Sequence, residues 1–185
     1  MKKKMMLVSI VLLMGLLTGC MSNYAINTYL VDPKPVEGNV MAYEDNIVKI
    51  DFKPYFGLDS SYTTLRMITI DLENKSDETI KITWDDGAFV SLDKTTTGIE
   101  HGMESQKSNK TIIPAGAVVK VPIKATTKVY DVLGTKVSTD LLFSISNKEI
   151  EQYNGENMSL LLPIQISDDQ KEYRFDFRFE VGKKN

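Results

Sequence analysis

The sequence predicts an all-β domain built as an antiparallel sandwich, and three observations carry that expectation. Beyond residue 39, apolar side chains recur at every second position. Clusters of turn-forming residues separate these rows at the roughly 8- to 12-residue spacing of short antiparallel strands. No stretch after the first 20 residues repeats with the 3.6-residue period of a helix. A small closed β-barrel is the alternative. With 185 residues, 42% hydrophobic and 25% charged, the chain is long enough for one domain with a buried core.

Val48, Ile50 and Phe52 alternate with Lys49, Asp51 and Lys53 in the first clear strand. Ile68, Ile70 and Leu72 form the second apolar row, against Thr69, Asp71 and Glu73. Ile80, Ile82 and Trp84 form the third, which predicts a tryptophan packed between sheets from a strand position. Val119, Val121 and Ile123 follow, and Pro122 among them suggests an edge strand, since proline cannot donate to a ladder. Leu160, Leu162, Ile164 and Ile166 make another inward row. The last alternation is the clearest: Tyr173, Phe175, Phe177, Phe179 and Val181 face one way, and Arg174, Asp176, Arg178 and Glu180 the other. The phenylalanine row reads as sandwich core rather than as a ligand platform. Turns are expected at Asn74-Lys75-Ser76-Asp77, Asp86-Gly87, Leu133-Gly134 and Asn154-Gly155. Nine or so such segments make an immunoglobulin-like sandwich somewhat larger than the usual seven strands.

The first 20 residues read as a processing segment. Lys2, Lys3 and Lys4 precede an apolar run from Met5 to Leu17 that is too short to span a bilayer comfortably. Leu17-Thr18-Gly19-Cys20 resembles the lipobox of bacterial lipoproteins. That resemblance implies residues 1–19 as a signal peptide, cleavage before Cys20, a diacylglyceryl group on its thiol with acylation of its amine to follow, and no cofactor beyond that lipid. It also implies residence in the bacterial cell envelope, and Met21 in place of aspartate implies outer-membrane sorting in a host with two membranes. Two or three acyl chains hold a soluble domain firmly where one does not. Residues 20–39, with Asp32-Pro33-Lys34-Pro35-Val36-Glu37-Gly38 at their turn-rich end, read as the lipidated cysteine and a tether, leaving residues 40–185 for the sandwich.

A second resemblance covers residues 72–130. Leu72-Glu73-Asn74-Lys75-Ser76, Ile80-Lys81-Ile82-Thr83-Trp84-Asp85, Phe89-Val90, His101-Gly102-Met103 and Ile112-Ile113-Pro114 are similar to a pattern in uncharacterised bacterial lipoproteins. Ala115 stands where that pattern carries a second proline. It implies no catalytic residues.

Chemistry is sparse along the chain. One cysteine excludes an internal disulfide and a Cys-based zinc site. The net charge of −3 becomes −6 once the leader's three lysines are set aside, which disfavours nucleic acid as a partner. The single histidine, His101, reads as a solvent-facing loop residue, and no Gly-x-Ser-x-Gly elbow accompanies it. His101 and Met103 pair imidazole with thioether, the ligand class of copper, but two ligands do not complete a site and no metal is assigned. Asp85, Asp86 and Asp93, or Asp71, Glu73 and Asp77, offer oxygens to calcium without the spacing that wraps the ion. The segment Lys94–Lys110 reads as a long loop, either one placed for recognition or a mobile excursion containing one short strand. His101 and Met103 within it are therefore the candidate partner-binding residues. The resulting expectation is a lipid-anchored, non-catalytic envelope module that binds protein or supports envelope assembly. An envelope hydrolase with a carboxylate pair and a metal- or small-ligand trap in the 94–110 segment are the alternatives.

Overall fold

The structure is a computed structural model, and it describes residues 24–101, 109–126, 128–132 and 135–183. Fourteen strands appear among them. In chain order these are β1 (Tyr24–Asp32), β2 (Ala42–Glu44), β3 (Val48–Leu58), β4 (Tyr62–Asn74), β5 (Ile80–Thr83), β6 (Ala88–Val90) and β7 (Thr96–His101). The second half adds β8 (Lys110–Ile113), β9 (Val118–Ala125), β10 (Lys128–Val132), β11 (Thr135–Thr139), β12 (Phe143–Ser146), β13 (Asn157–Ile166) and β14 (Asp169–Lys183). Short 3-10 turns at Trp84–Asp86 and Ile150–Tyr153 are the only helical elements among the described residues. The all-β expectation holds.

Two antiparallel layers face each other. One runs β1–β14–β13 and continues into β5 and β6; the other runs β2–β3–β4–β9, with β12 on β4. The alternating rows meet between them. Phe52 of β3 packs against Phe175 and Phe177 of β14 at 4.8 and 5.0 Å between ring centres. Val48, Ile50, Ile70, Leu72, Leu160, Leu162 and Phe179 are buried around them. The phenylalanine row is core, as its strict alternation with charge requires.

Sandwich and barrel descriptions both apply, on different sides of the molecule. On one side β7 pairs with β6 of the first layer and β9 of the second, so hydrogen bonds run continuously around that flank. On the opposite side the backbones of the layers are joined through residues 40–41. There the Leu30 N–H donates to the Val40 carbonyl at 2.8 Å, and the Phe52 N–H donates to the Met41 carbonyl at 2.8 Å. Residues 40–41 thus bridge β1 to β3. The result is a nearly closed barrel flattened into a sandwich.

Several expectations are corrected. The tether assigned to residues 20–39 is, from Tyr24 to Asp32, a full strand of the sheet, paired with β14 from Tyr24↔Lys183 to Leu30↔Phe177. Trp84 is buried, at 1% exposure, but lies in the 3-10 turn after β5 rather than on the strand. That turn has a function in the sheet. β5 pairs with Ile164–Ile166 of β13 and β6 with Ser159–Leu161, so the chain must step between two stretches of one neighbour. Pro163 occupies the gap between those stretches, where a missing donor costs least. Gly87 ends the turn because a Cβ there would meet the Ile99 side chain at 2.7 Å and the Leu161 carbonyl at 3.2 Å.

β9 is not an edge strand. It pairs with β4 from Val118 to Ile123 and with β7 from Ile123 to Ala125. The Thr126 N–H donates toward β7, at the Gly98 carbonyl, so alternation turns the Pro122 nitrogen the same way, just beyond the described β7 pairing. The proline signal was locally sound although the strand is internal. The Asn74–Asp77 and Asn154-Gly155 turns occur as expected; Leu133-Gly134 lies outside the described residues.

Candidate functional site

Each candidate residue from the sequence has a definite fate. Cys20 and Met103 lie outside the described residues. His101 does not project from a loop: Thr96–His101 is strand β7, and His101 stands opposite Ile123 of β9. Its ring approaches Trp84 edge-on at 5.9 Å and 70°. Burial lowers the pKa of this imidazole below its ordinary value. Trp84 is itself held from two sides, since Nε1 donates to Thr111 Oγ1 at 2.9 Å and its backbone N–H donates to the Asn109 carbonyl at 2.8 Å. His101 and Trp84 together close the flank where β7 joins the layers. This is a packing arrangement around an imidazole held toward its neutral form.

The carboxylates offered to calcium do not converge. Asp85 accepts from Asn109 Nδ2 at 2.8 Å, Asp93 accepts from Ser91 and the Thr95 N–H, and Asp71 pairs with Lys53. No group of three His, Cys, Asp or Glu side chains suited to a metal ion occurs among the described residues. Nor do the perturbed carboxyls resemble a general acid, which needs a raised pKa. Glu44 is lowered by Lys75, Asp59 by the Tyr62 and Ser61 N–H groups, and Asp93 by Ser91.

The strongest electrostatic centre was not visible in the sequence. Asp45, in the turn between β2 and β3, accepts from the Ile47 and Val48 N–H groups at 2.8 Å each through Oδ1. Its Oδ2 accepts from the Tyr43 and Tyr173 hydroxyls at 3.1 and 2.9 Å and from Lys171 Nζ at 3.1 Å. Burial opposes ionisation of Asp45, but these donors outweigh it and hold the carboxyl at about 2. Burial, then the Asp45 charge, pushes Tyr43 up to about 12, and burial with the Asp45 hydrogen bond raises Tyr173. Such a saturated acceptor cannot take a substrate proton at neutral pH. It ties the β2–β3 turn to β14. Tyr43-x-Asp45 and Lys171-x-Tyr173 were each visible as pairs, yet 126 residues separate Asp45 from Lys171 and nothing local joins them.

Two strand edges border the open side, and they differ. On β3 the Phe52 N–H points outward to Met41, so alternation places the Pro54 nitrogen outward as well, with no hydrogen to donate. A bulge follows opposite Tyr55 and Phe56, where Arg66 of β4 is the extra residue. Pro54 blocks further pairing, and the bulge adds local twist. On β1 the Leu30 N–H points outward, and so do the N–H and carbonyl groups of Thr28 and Ile26, with no proline or bulge before Leu30. Over Ala25–Tyr29 the described ladder gives β1 a partner on the β14 side alone.

Compared with known protein families and with curated proteins, the chain matches no family model and no curated protein.

Proposed function

We propose that this chain is a lipid-anchored, non-catalytic module of the bacterial cell envelope that captures a protein partner by strand addition to β1. The observation supporting it is the outward edge of β1, whose Ile26 and Thr28 backbone groups point away from β14 beside a neighbouring edge blocked by Pro54. An extended partner segment gains main-chain hydrogen bonds there, while alternate side chains select it. Acylated Cys20 supplies the anchor, as the lipobox resemblance implies. His101 and Met103 have no direct part in this reading; β7 holds His101 inside the sheet flank.

The test uses the full chain in cells. A photocrosslinking residue at Asn27 is expected to trap a partner protein. Thr28→Pro removes one outward donor without touching the β14 ladder and is expected to abolish the crosslink while the domain keeps its melting temperature. Asn27→Pro removes a donor that faces β14 and should instead destabilise the fold. A crosslink that persists in Thr28→Pro overturns strand addition. In parallel, Cys20→Ala should move the domain from the membrane fraction to the soluble fraction, and retention in the membrane would defeat the anchoring claim.

A further inference from the structure

The sandwich has two chemically different ends. At one, β1 begins at Tyr24, opposite Lys183 of β14, and the β3–β4 hairpin turns over Asp59–Ser61. These meet in a groove of about 510 Å³ lined by Tyr24, Ser60, Tyr62, Asn147 and Lys148, among others. At the other end, β3 starts opposite Asn74 and β13 turns into β14 at Ile166↔Asp169. There the turns expose Asp77, Glu78, Asp168 and Asp169.

Large apolar side chains are exposed at both ends, with Ile112 and Val118 toward the Asn74 end, and what distinguishes the Tyr24 end is tyrosine beside lysine. Tyr55, Leu58 and Tyr62 are 58%, 38% and 51% exposed, and all three belong to the β3–β4 hairpin. Leu58 and Tyr62 sit at its tip, beside Lys148. Tyrosine with lysine is the chemistry of the bilayer interface, because a ring and an alkyl stem enter the headgroup layer while the polar tip stays wet.

Chain length sets the geometry. Only Met21, Ser22 and Asn23 separate Cys20 from β1. Even fully extended, the four steps from Cys20 to Tyr24 reach about 14 Å. An acyl anchor on Cys20 therefore cannot hold the domain far from the bilayer, and the end that carries Tyr24 is the end it brings down.

We propose that the rim formed by Tyr24, Leu58, Tyr62 and Lys148 seats on the lipid headgroups, so that the sandwich stands on the membrane with its acidic end outward. This rests on the anchoring reading above. It also leaves the β1 edge running up from the membrane surface, where an extended partner segment reaches it from the side.

The experiment uses the full chain purified from membranes and reconstituted into phosphatidylethanolamine–phosphatidylglycerol vesicles containing a headgroup-nitroxide lipid. A thiol-reactive fluorophore is placed at Tyr62→Cys in one variant and at Asp168→Cys in another, both exposed positions that leave the core intact. The expected result is several-fold stronger quenching at position 62 than at 168, on protein that floats with the vesicles. Floating protein with equal quenching at the two positions, or stronger quenching at 168, overturns the seated rim and leaves the anchor standing. Protein that does not float removes the anchor, and the seated rim falls with it.

Discussion

The two ends of the sandwich are held by different physics. At the acidic end, β2 and β3 are joined to β14 through one carboxylate, Asp45, with its five donors and the Tyr43–Phe175 edge contact at 5.4 Å. At the Tyr24 end the polar contacts are divided between two side chains, Asp59 accepting from the Ser61 and Tyr62 N–H groups and Asn147 from the Thr63 hydroxyl. There Phe56, Phe143 and Phe179 fill the interior, with ring centres 6.1 to 6.2 Å apart. One end depends on protonation and direction, the other on burial and shape.

Substitution at each end should separate these modes. Phe179→Ala empties a fully buried site against two rings and is expected to cost about 3–5 kcal/mol, measured by denaturant unfolding, equally at pH 5 and pH 8. A loss that changed with pH would mean that the two ends share one electrostatic centre.

Asp45→Ala should cost less, about 2 kcal/mol, by leaving its buried donors without an acceptor. Its signature is the pH dependence. The folded carboxyl lies at about 2 against an ordinary 3.8, so its contribution is complete above about pH 4 and disappears as pH falls toward 2. Tyr43 is displaced upward, from 10.0 to about 12, so its contribution is complete below pH 10 and is lost as pH rises toward 12. Thermal melts of the wild type across both windows should show both losses. Asp45→Ala should flatten the acid limb and shrink the alkaline one, because burial of the Tyr43 ring remains. An unchanged acid limb would place the sensitivity elsewhere.

The smallest effect belongs to the rim. Tyr62→Ser replaces a half-exposed side chain and should change stability by no more than about 0.5 kcal/mol. The same change is expected to weaken vesicle binding of the domain, read by flotation of a Cys20→Ala variant on anionic vesicles. A large stability loss would instead make Tyr62 part of the fold.

Legibility in the sequence followed the contrast between strand faces. β3, β4, β13 and β14 each carry one apolar and one polar face, so their rows, and the burial of Phe175, Phe177 and Phe179, were plain. β1 was missed because Tyr29 and Val31 on its outer face blur the alternation with Ile26 and Leu30; Tyr29 is held outside by Glu180. β7 was anticipated only as an unlocated short strand within the 94–110 segment, because Thr97 and His101 stand in its inward row beside Ile99, which looks like loop composition. Its two neighbours complete its hydrogen bonds whatever its side chains are. Trp84 was correctly placed in the core and wrongly placed on a strand, because alternation continues for one residue past the point where β13 changes partners.

Alternation, turn chemistry and the short apolar leader were enough to establish an all-β antiparallel chain, its main core rows and the expectation of an anchor at Cys20, since each of these is a property of neighbouring residues. Which layer each strand joins, the closure of one flank by β7, the Asp45 centre and the meeting of Tyr24 with the β3–β4 hairpin all join residues tens to more than a hundred positions apart. Contacts of that separation leave no local period in the sequence. Only the packed layers, in which each strand's edge must find a donor, an acceptor or a proline, decided them.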